Sequence, residues 1–275
     1  MINNRDMKKC TAIIFYSALF LLFSCTWSNK DDGMQASLSE AIATDTIHVH
    51  EKYTFAYNKE TAPKLTIDIV LPQFELGNEK ATARLDSTLA WGLFLYDAPT
   101  LQAACNQFVA AQKVQFNELR DEYNNLSESG IPPGMMGCYC DIKGSTVSGY
   151  NGYISYVMTR EEYRGGAHPN TESTIVCFDP ATGDEITLDD IFKQDYEEPL
   201  IAMLTLKLME DEGASTAEEL AEKGYYPDVD MFITNNFILG EDSMTFLYNR
   251  YEIAPYAKGD ILISLDYTTL KEIMK

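Results

Sequence analysis

The chain has 275 residues, 45% of them hydrophobic, and carries a formal net charge of −21. That is enough apolar material for one large or two small domains. So acidic a surface excludes nucleic-acid binding, which draws its affinity from neutralising phosphates, and docking on anionic lipid. A cationic protein partner would instead be steered towards it.

The first residues, "MINNRDMKKC", contain Arg5, Lys8 and Lys9, and the apolar run "TAIIFYSALFLLFSC" follows. A basic segment before a short apolar one predicts a secretory signal over 1–24. Its end, Leu22-Phe23-Ser24-Cys25, resembles the bacterial lipobox, in which the cysteine is acylated and becomes the first residue of the mature chain. Several acyl chains on Cys25 would anchor the protein stably at a membrane of the cell envelope. Residues 25–45 are polar and small and predict a flexible tether. Lys30-Asp31-Asp32 resembles tags that send lipoproteins to the cell surface, so an outer-membrane or surface location is expected.

Residues 46–149 predict an α+β region. "TIHVHEKYTFAY" and "APKLTIDIVLPQF" alternate polar and apolar residues, as strands do. His48 and His50 share one face of the first, and a third metal ligand is not read nearby. Leu101, Cys105, Phe108, Gln112, Phe116, Leu119, Tyr123 and Leu126 recur at steps of three and four and predict an amphipathic helix. Gly130, Pro132 and Pro133 would stop it.

Residues 150–275 predict further strands, then helices, then a hairpin turning at Gly240 to Ser243. Antiparallel hairpins with helices inserted in blocks indicate α+β. The expected layout is an antiparallel sheet with helices mainly on one face, in one unit or two sub-domains. Cys138 and Cys140 fall on one strand face. Either would bridge Cys105 or Cys177 more easily than the other, and buried free thiols are the alternative.

No G-x-S-x-G, H-E-x-x-H or phosphate-binding glycine loop occurs, and no cofactor or metal is expected. Two clusters carry the remaining interest. "YRGGAHPN" places Tyr163, Arg164 and His168 around Gly165 and Gly166, with Pro169 forcing extended backbone at His168. It reads either as a sharp connection between strands or as a ligand surface with a reactive histidine. "FLYNRYEIAPYAKGD" offers Tyr248, Tyr251 and Tyr256, ring types favoured at interfaces and under sugars. The same rings would serve as a cover for the core.

Together the two clusters resemble a domain of unknown function shared by RsiV-type anti-sigma factors and PdaC-type peptidoglycan deacetylases. The likeness runs from about residue 150 to the end. It rests on Tyr163, Gly165, Gly166, Ala167, His168, Asp179, Thr182, Gly183, Leu188, Tyr251, Glu252, Ile253, Tyr256, Gly259 and Asp260. Residues 46–149 resemble the companion domain that often precedes it. The resemblance implies a non-catalytic extracytoplasmic binding module, since the first of these proteins senses lysozyme and the second keeps its catalysis in a separate domain. The expected partner is a cationic protein of the lysozyme kind or the glycan of peptidoglycan. A cell-wall hydrolase or deacetylase using His168, and a structural lipoprotein with no soluble ligand, are the alternatives.

Overall fold

The computed structural model describes residues 43–54, 62–119, 137–225 and 231–275. The signal, Cys25, most of the tether and the Gly130–Pro133 break lie outside these. The chain is α+β. Strands β1 (Asp45–Thr54) and β2 (Lys64–Gln73) pair antiparallel, with Ile47 opposite Leu71. Helices α1 (Glu79–Phe94) and α2 (Leu101–Glu118) follow. Each opens on a side-chain cap, Asn78 accepting from the Ala81 N–H and Thr100 from the Ala103 N–H.

Strand β3 (Cys138–Ser148) then lies parallel to β2, with Ile67 opposite Cys140. The large sheet is antiparallel at every pair but this one. The two helices form the crossover that a parallel neighbour requires. Strands β4 (Ile154–Tyr163) and β5 (Asn170–Phe178) complete a five-stranded sheet in the order β1-β2-β3-β4-β5. The division drawn between residues 149 and 150 therefore passes through this sheet, between the antiparallel partners β3 and β4.

The rest of the chain supplies α3 (Leu188–Ile191), α4 (Glu197–Glu212), α5 (Ala217–Glu222), the strands β6 (Phe237–Leu239), β7 (Ser243–Tyr248) and β8 (Ile261–Asp266), and α6 (Tyr267–Leu270). Strands β6, β7 and β8 form a second, antiparallel sheet, and β6 and β7 are the hairpin expected around Gly240. Thr187 and Asp190 cap α3 reciprocally.

The described residues form two large apolar cores. One face of the large sheet (Ile67, Ile69, Cys140, Ile142, Tyr156, Phe178) packs on Leu85 and Leu89 of α1 and Cys105 and Phe108 of α2. Ile175 and Cys177, on the other face of β5, join Leu200, Leu204 and Leu208 of α4 and the inner residues of the small sheet. Helices thus serve both sheets, with α1 and α2 on one face of the large one. All four described cysteines are buried free thiols. Cys177 belongs to one core and Cys105, Cys138 and Cys140 to the other, so the sheet itself separates Cys177 from the rest.

Two glycines set how closely parts meet. A Cβ on Gly149 would come within 2.2 Å of the Leu239 carbonyl oxygen, and one on Gly183 within 2.2 Å of the Ala81 carbonyl oxygen. The first lets the β3–β4 turn touch the small sheet, where Tyr150 N–H donates to Gly240. The second seats the turn after β5 on α1. Among the described residues no helix is long and apolar enough to cross a membrane.

Candidate functional site

The glycine-histidine cluster is the connection between β4 and β5. Gly165 and Gly166 adopt φ of 94° and 111°, values that side chains oppose. The Tyr163 hydroxyl closes the turn by donating to the Gly166 carbonyl at 3.0 Å. The tyrosine cluster follows β7 and reaches the same place. Residues 249 to 254 turn back on themselves through Glu252 N–H to the Asn249 carbonyl and Tyr251 N–H to the Ala254 carbonyl. The 3-10 turn Tyr256–Lys258 follows.

Three of the six candidate side chains meet there. The His168 ring stacks on Tyr256 with centroids 3.9 Å apart, and Tyr251 lies next to Tyr256 at 5.7 Å. The Pro169 carbonyl accepts from His168 Nδ1 at 3.0 Å and from the Tyr256 hydroxyl at 3.2 Å. A carbonyl oxygen only accepts, so this contact places a proton on Nδ1. Arg250 braces Tyr256 twice: Nη1 donates to its hydroxyl at 2.9 Å, and the guanidinium carbon sits 4.7 Å from the ring centre. His168 is exposed, Tyr256 half-buried, and Tyr251 is 61% exposed. The result is an open platform of three rings.

Tyr251 stands on a left-handed backbone, φ 70°. Bulky residues rarely adopt it, and such strain gathers where function demands a particular display. Beneath the platform, Arg250 Nε lies 3.6 Å from Asp260 Oδ1 in a largely buried ion pair. Burial pushes the Asp260 carboxyl above its ordinary range, and the nearby arginine opposes this. The support is completed by Asn249, which is buried. Its side chain accepts from the Ser173 N–H at 2.7 Å and donates to the Ser173 carbonyl at 3.0 Å. Since β5 is an edge strand, an amide side chain here takes the place of a further strand.

The other three candidates go elsewhere. Tyr163 stacks on Tyr139, its partner across β3 and β4, at 6.0 Å. Arg164 bonds Gln112 of α2 at 2.7 Å and pairs with Glu162, tying the corner to the helix. Tyr248 is no surface residue. It is fully buried, its hydroxyl donating to the Phe232 carbonyl at 2.6 Å. The reason is strand alternation, which places Met244, Phe246 and Tyr248 on one inward face. Asn249 and Arg250 carried no signal of their own in the sequence, because single polar residues after a strand are common. Among the described residues no three His, Cys, Asp or Glu side chains are grouped to hold a metal ion.

The model of the family described as "Protein of unknown function (DUF3298)" matches residues 189–268. That stretch matches a DUF3298 domain. The match includes Asn249, Tyr251 and Tyr256 and begins after His168, so the platform joins the domain to the corner that precedes it. A curated relative, the peptidoglycan-N-acetylmuramic acid deacetylase PdaC of Bacillus subtilis, is 29% identical over 126 residues, 44% of this chain. The match covers only 26% of that deacetylase. A DUF3298 family structure from Bacteroides fragilis superposes with a TM-score of 0.73 at 28% identity, covering 84% of this chain and 92% of that one. A DUF3298 family protein from Pseudomonas aeruginosa, at 18% identity and a TM-score of 0.55, covers 86% and 96% and shares the fold. Both structural likenesses extend well beyond residues 189–268, to the five-stranded sheet that the DUF3298 match leaves out.

Proposed function

We propose that the protein is a binding module of the bacterial envelope, tethered by acyl chains on Cys25, and that its three-ring platform engages the glycan of the cell wall. The observation that carries this reading is Tyr251, a large ring held out to solvent on a left-handed backbone beside the Tyr256–His168 stack. Exposed rings with fixed orientation suit the apolar face of a sugar. The named action of the PdaC relative on peptidoglycan supports the same ligand class. Calorimetric titration with soluble peptidoglycan fragments tests it. Tyr251→Ala should weaken binding roughly three- to tenfold, the worth of one ring contact. Unchanged affinity in both Tyr251→Ala and His168→Ala would remove the platform from the reading. Metabolic labelling with a fatty acid, lost in Cys25→Ala, tests the tether.

A second reading, a cationic protein of the lysozyme kind, is favoured by the charge of −21. It is also favoured by the cross-strand row Asp68, Asp141 and Glu161 on the face of the large sheet opposite α1 and α2. Binding to lysozyme that weakens steeply as salt rises supports this reading. Failure to bind at low salt sinks it.

A further inference from the structure

A groove of about 210 Å³ opens where α1 ends above β4 and β5, and none of its lining residues is a ring of the platform. Leu93 of α1, the C-cap Leu95, Phe108 of α2 and Met158 of β4 give it apolar walls, and Arg160 and Glu172 give it a polar side. We propose that this groove is a saccharide site that takes one neutral, N-acylated sugar ring. The ligand class rests on the glycan reading above; the residues are different ones.

Size comes first. The volume lies below the roughly 300–1,000 Å³ of sites for drug-sized ligands, so it suits a single ring and not a chain. Charge comes second. Arg160 and Glu172 are register partners across β4 and β5, joined at 2.6 Å, and their formal charges cancel. In a chain of net charge −21, such a groove selects neither a cation nor an anion. Hydrogen-bonding capacity comes third. One bond between them leaves the guanidinium with spare donors and the carboxylate with spare acceptors. A ligand that offers both kinds at short spacing, as sugar hydroxyls and an acylamino group do, uses both. The walls then cover its C–H face and acyl methyl.

Leu95 shows that the wall is displayed at a cost to the fold. It caps α1 in the left-handed region, φ 58° and ψ 32°, where glycine is the usual residue. The side chain costs about 1–2 kcal/mol there and is 71% exposed, so burial does not recover it. A large apolar side chain held out on an opposed backbone is better explained by a ligand than by stability.

Leu95→Gly separates the two explanations. Glycine relieves the left-handed backbone, so the variant should melt at the same temperature as the parent or higher, yet it loses the wall. Titration of the full chain with N-acetylglucosamine, followed by NMR, should show binding to the parent and at least tenfold weaker binding to Leu95→Gly and to Arg160→Met. Glucose, which lacks the acyl group, should bind more weakly than N-acetylglucosamine. Leu206→Ser, which alters an equally exposed leucine on α4, should change nothing. Parent-like binding in Leu95→Gly and Arg160→Met overturns the inference. So does loss on Tyr251→Ala alone, which would place the sugar on the platform and leave the glycan reading standing. If the parent binds peptidoglycan fragments but not N-acetylglucosamine, only the groove falls; if it binds neither, both do.

Discussion

The platform and the groove each hold one large apolar side chain out on a left-handed backbone, Tyr251 at φ 70° and Leu95 at φ 58°. Their support is of opposite kinds. Tyr251 rests on polar scaffolding: Tyr256 braced by Arg250, the Arg250–Asp260 pair, and Asn249 fastened to Ser173. Leu95 rests on steric fit, because its position follows from how α1 lies on β5. Gly92 decides that fit, since a Cβ there would come within 2.6 Å of Val176 Cγ2. A display built on buried polar bonds fails when one partner is removed, whereas one built on close approach fails when an atom is added.

The largest effect is expected on the polar side. Asn249→Ala removes both partners of the buried Ser173 N–H and carbonyl. Leaving two buried backbone groups unsatisfied costs about 2–4 kcal/mol. Urea unfolding should show that loss, with peptidoglycan binding reduced and sugar binding at the groove retained. A loss below about 1 kcal/mol would mean that water replaces the amide and that the platform does not depend on it.

Gly92→Ala attacks the other support by adding one methyl group. Overpacking costs about 1–3 kcal/mol, and the better helix propensity of alanine returns up to about 1 kcal/mol. A net loss of about 1 kcal/mol is expected, as α1 lifts from Val176 and the groove changes shape. Sugar binding should fall while platform binding holds. Equal losses at both places would show that the two supports are mechanically joined, and the contrast between them would fail.

How much of this was legible before the structure differs between the two places for the same physical reason. His168, Tyr251 and Tyr256 stood out because rings beside Gly, Pro and a strand end are unusual in composition. Their meeting was not legible, since it depends on the connection after β4 and the segment after β7 coming together across a separation of 87 residues, from Pro169 to Tyr256. Tyr248 falls in one sequence cluster with Tyr251 and Tyr256, but the period-two pattern Met244, Phe246, Tyr248 marks it as inward. The α+β class followed from element order alone. The parallel pairing of β2 with β3 did not, because two intervening helices suit a crossover or a separate layer equally well. Nothing in "WGLFLYDAP" sets Leu95 apart, since a left-handed leucine leaves no trace in spacing or polarity. Arg160 and Glu172 look like ordinary alternating strand residues until the register sets them side by side.

The smallest effect concerns charge beneath the platform. Burial raises the Glu252 carboxyl above its ordinary range, the Asn249 N–H at 2.7 Å opposes this, and the charges of Glu172 and Asp260 add to it. A raised carboxyl means that the folded chain holds the proton more tightly than the unfolded one. Its contribution to stability is therefore full below the unfolded value, about 4.3 for glutamate, and is lost as pH rises through the folded value. Asp190 behaves in the opposite sense. The Thr187 N–H and hydroxyl hold it below its ordinary range, so its contribution is present above the unfolded value and lost on acidification. Glu252→Gln keeps an oxygen for the Asn249 N–H and removes the charge. The variant should melt higher than the parent at pH 7, with the gap closing towards pH 4, where the parent carboxyl is already protonated. A variant that melts lower at pH 7, or a gap that does not change with pH, would show that the Glu252 charge is balanced by the arginine beneath the platform. Measured beside Gly92→Ala, whose effect is steric and so independent of pH, Glu252→Gln gives the contrast between the two supports a second, titratable axis.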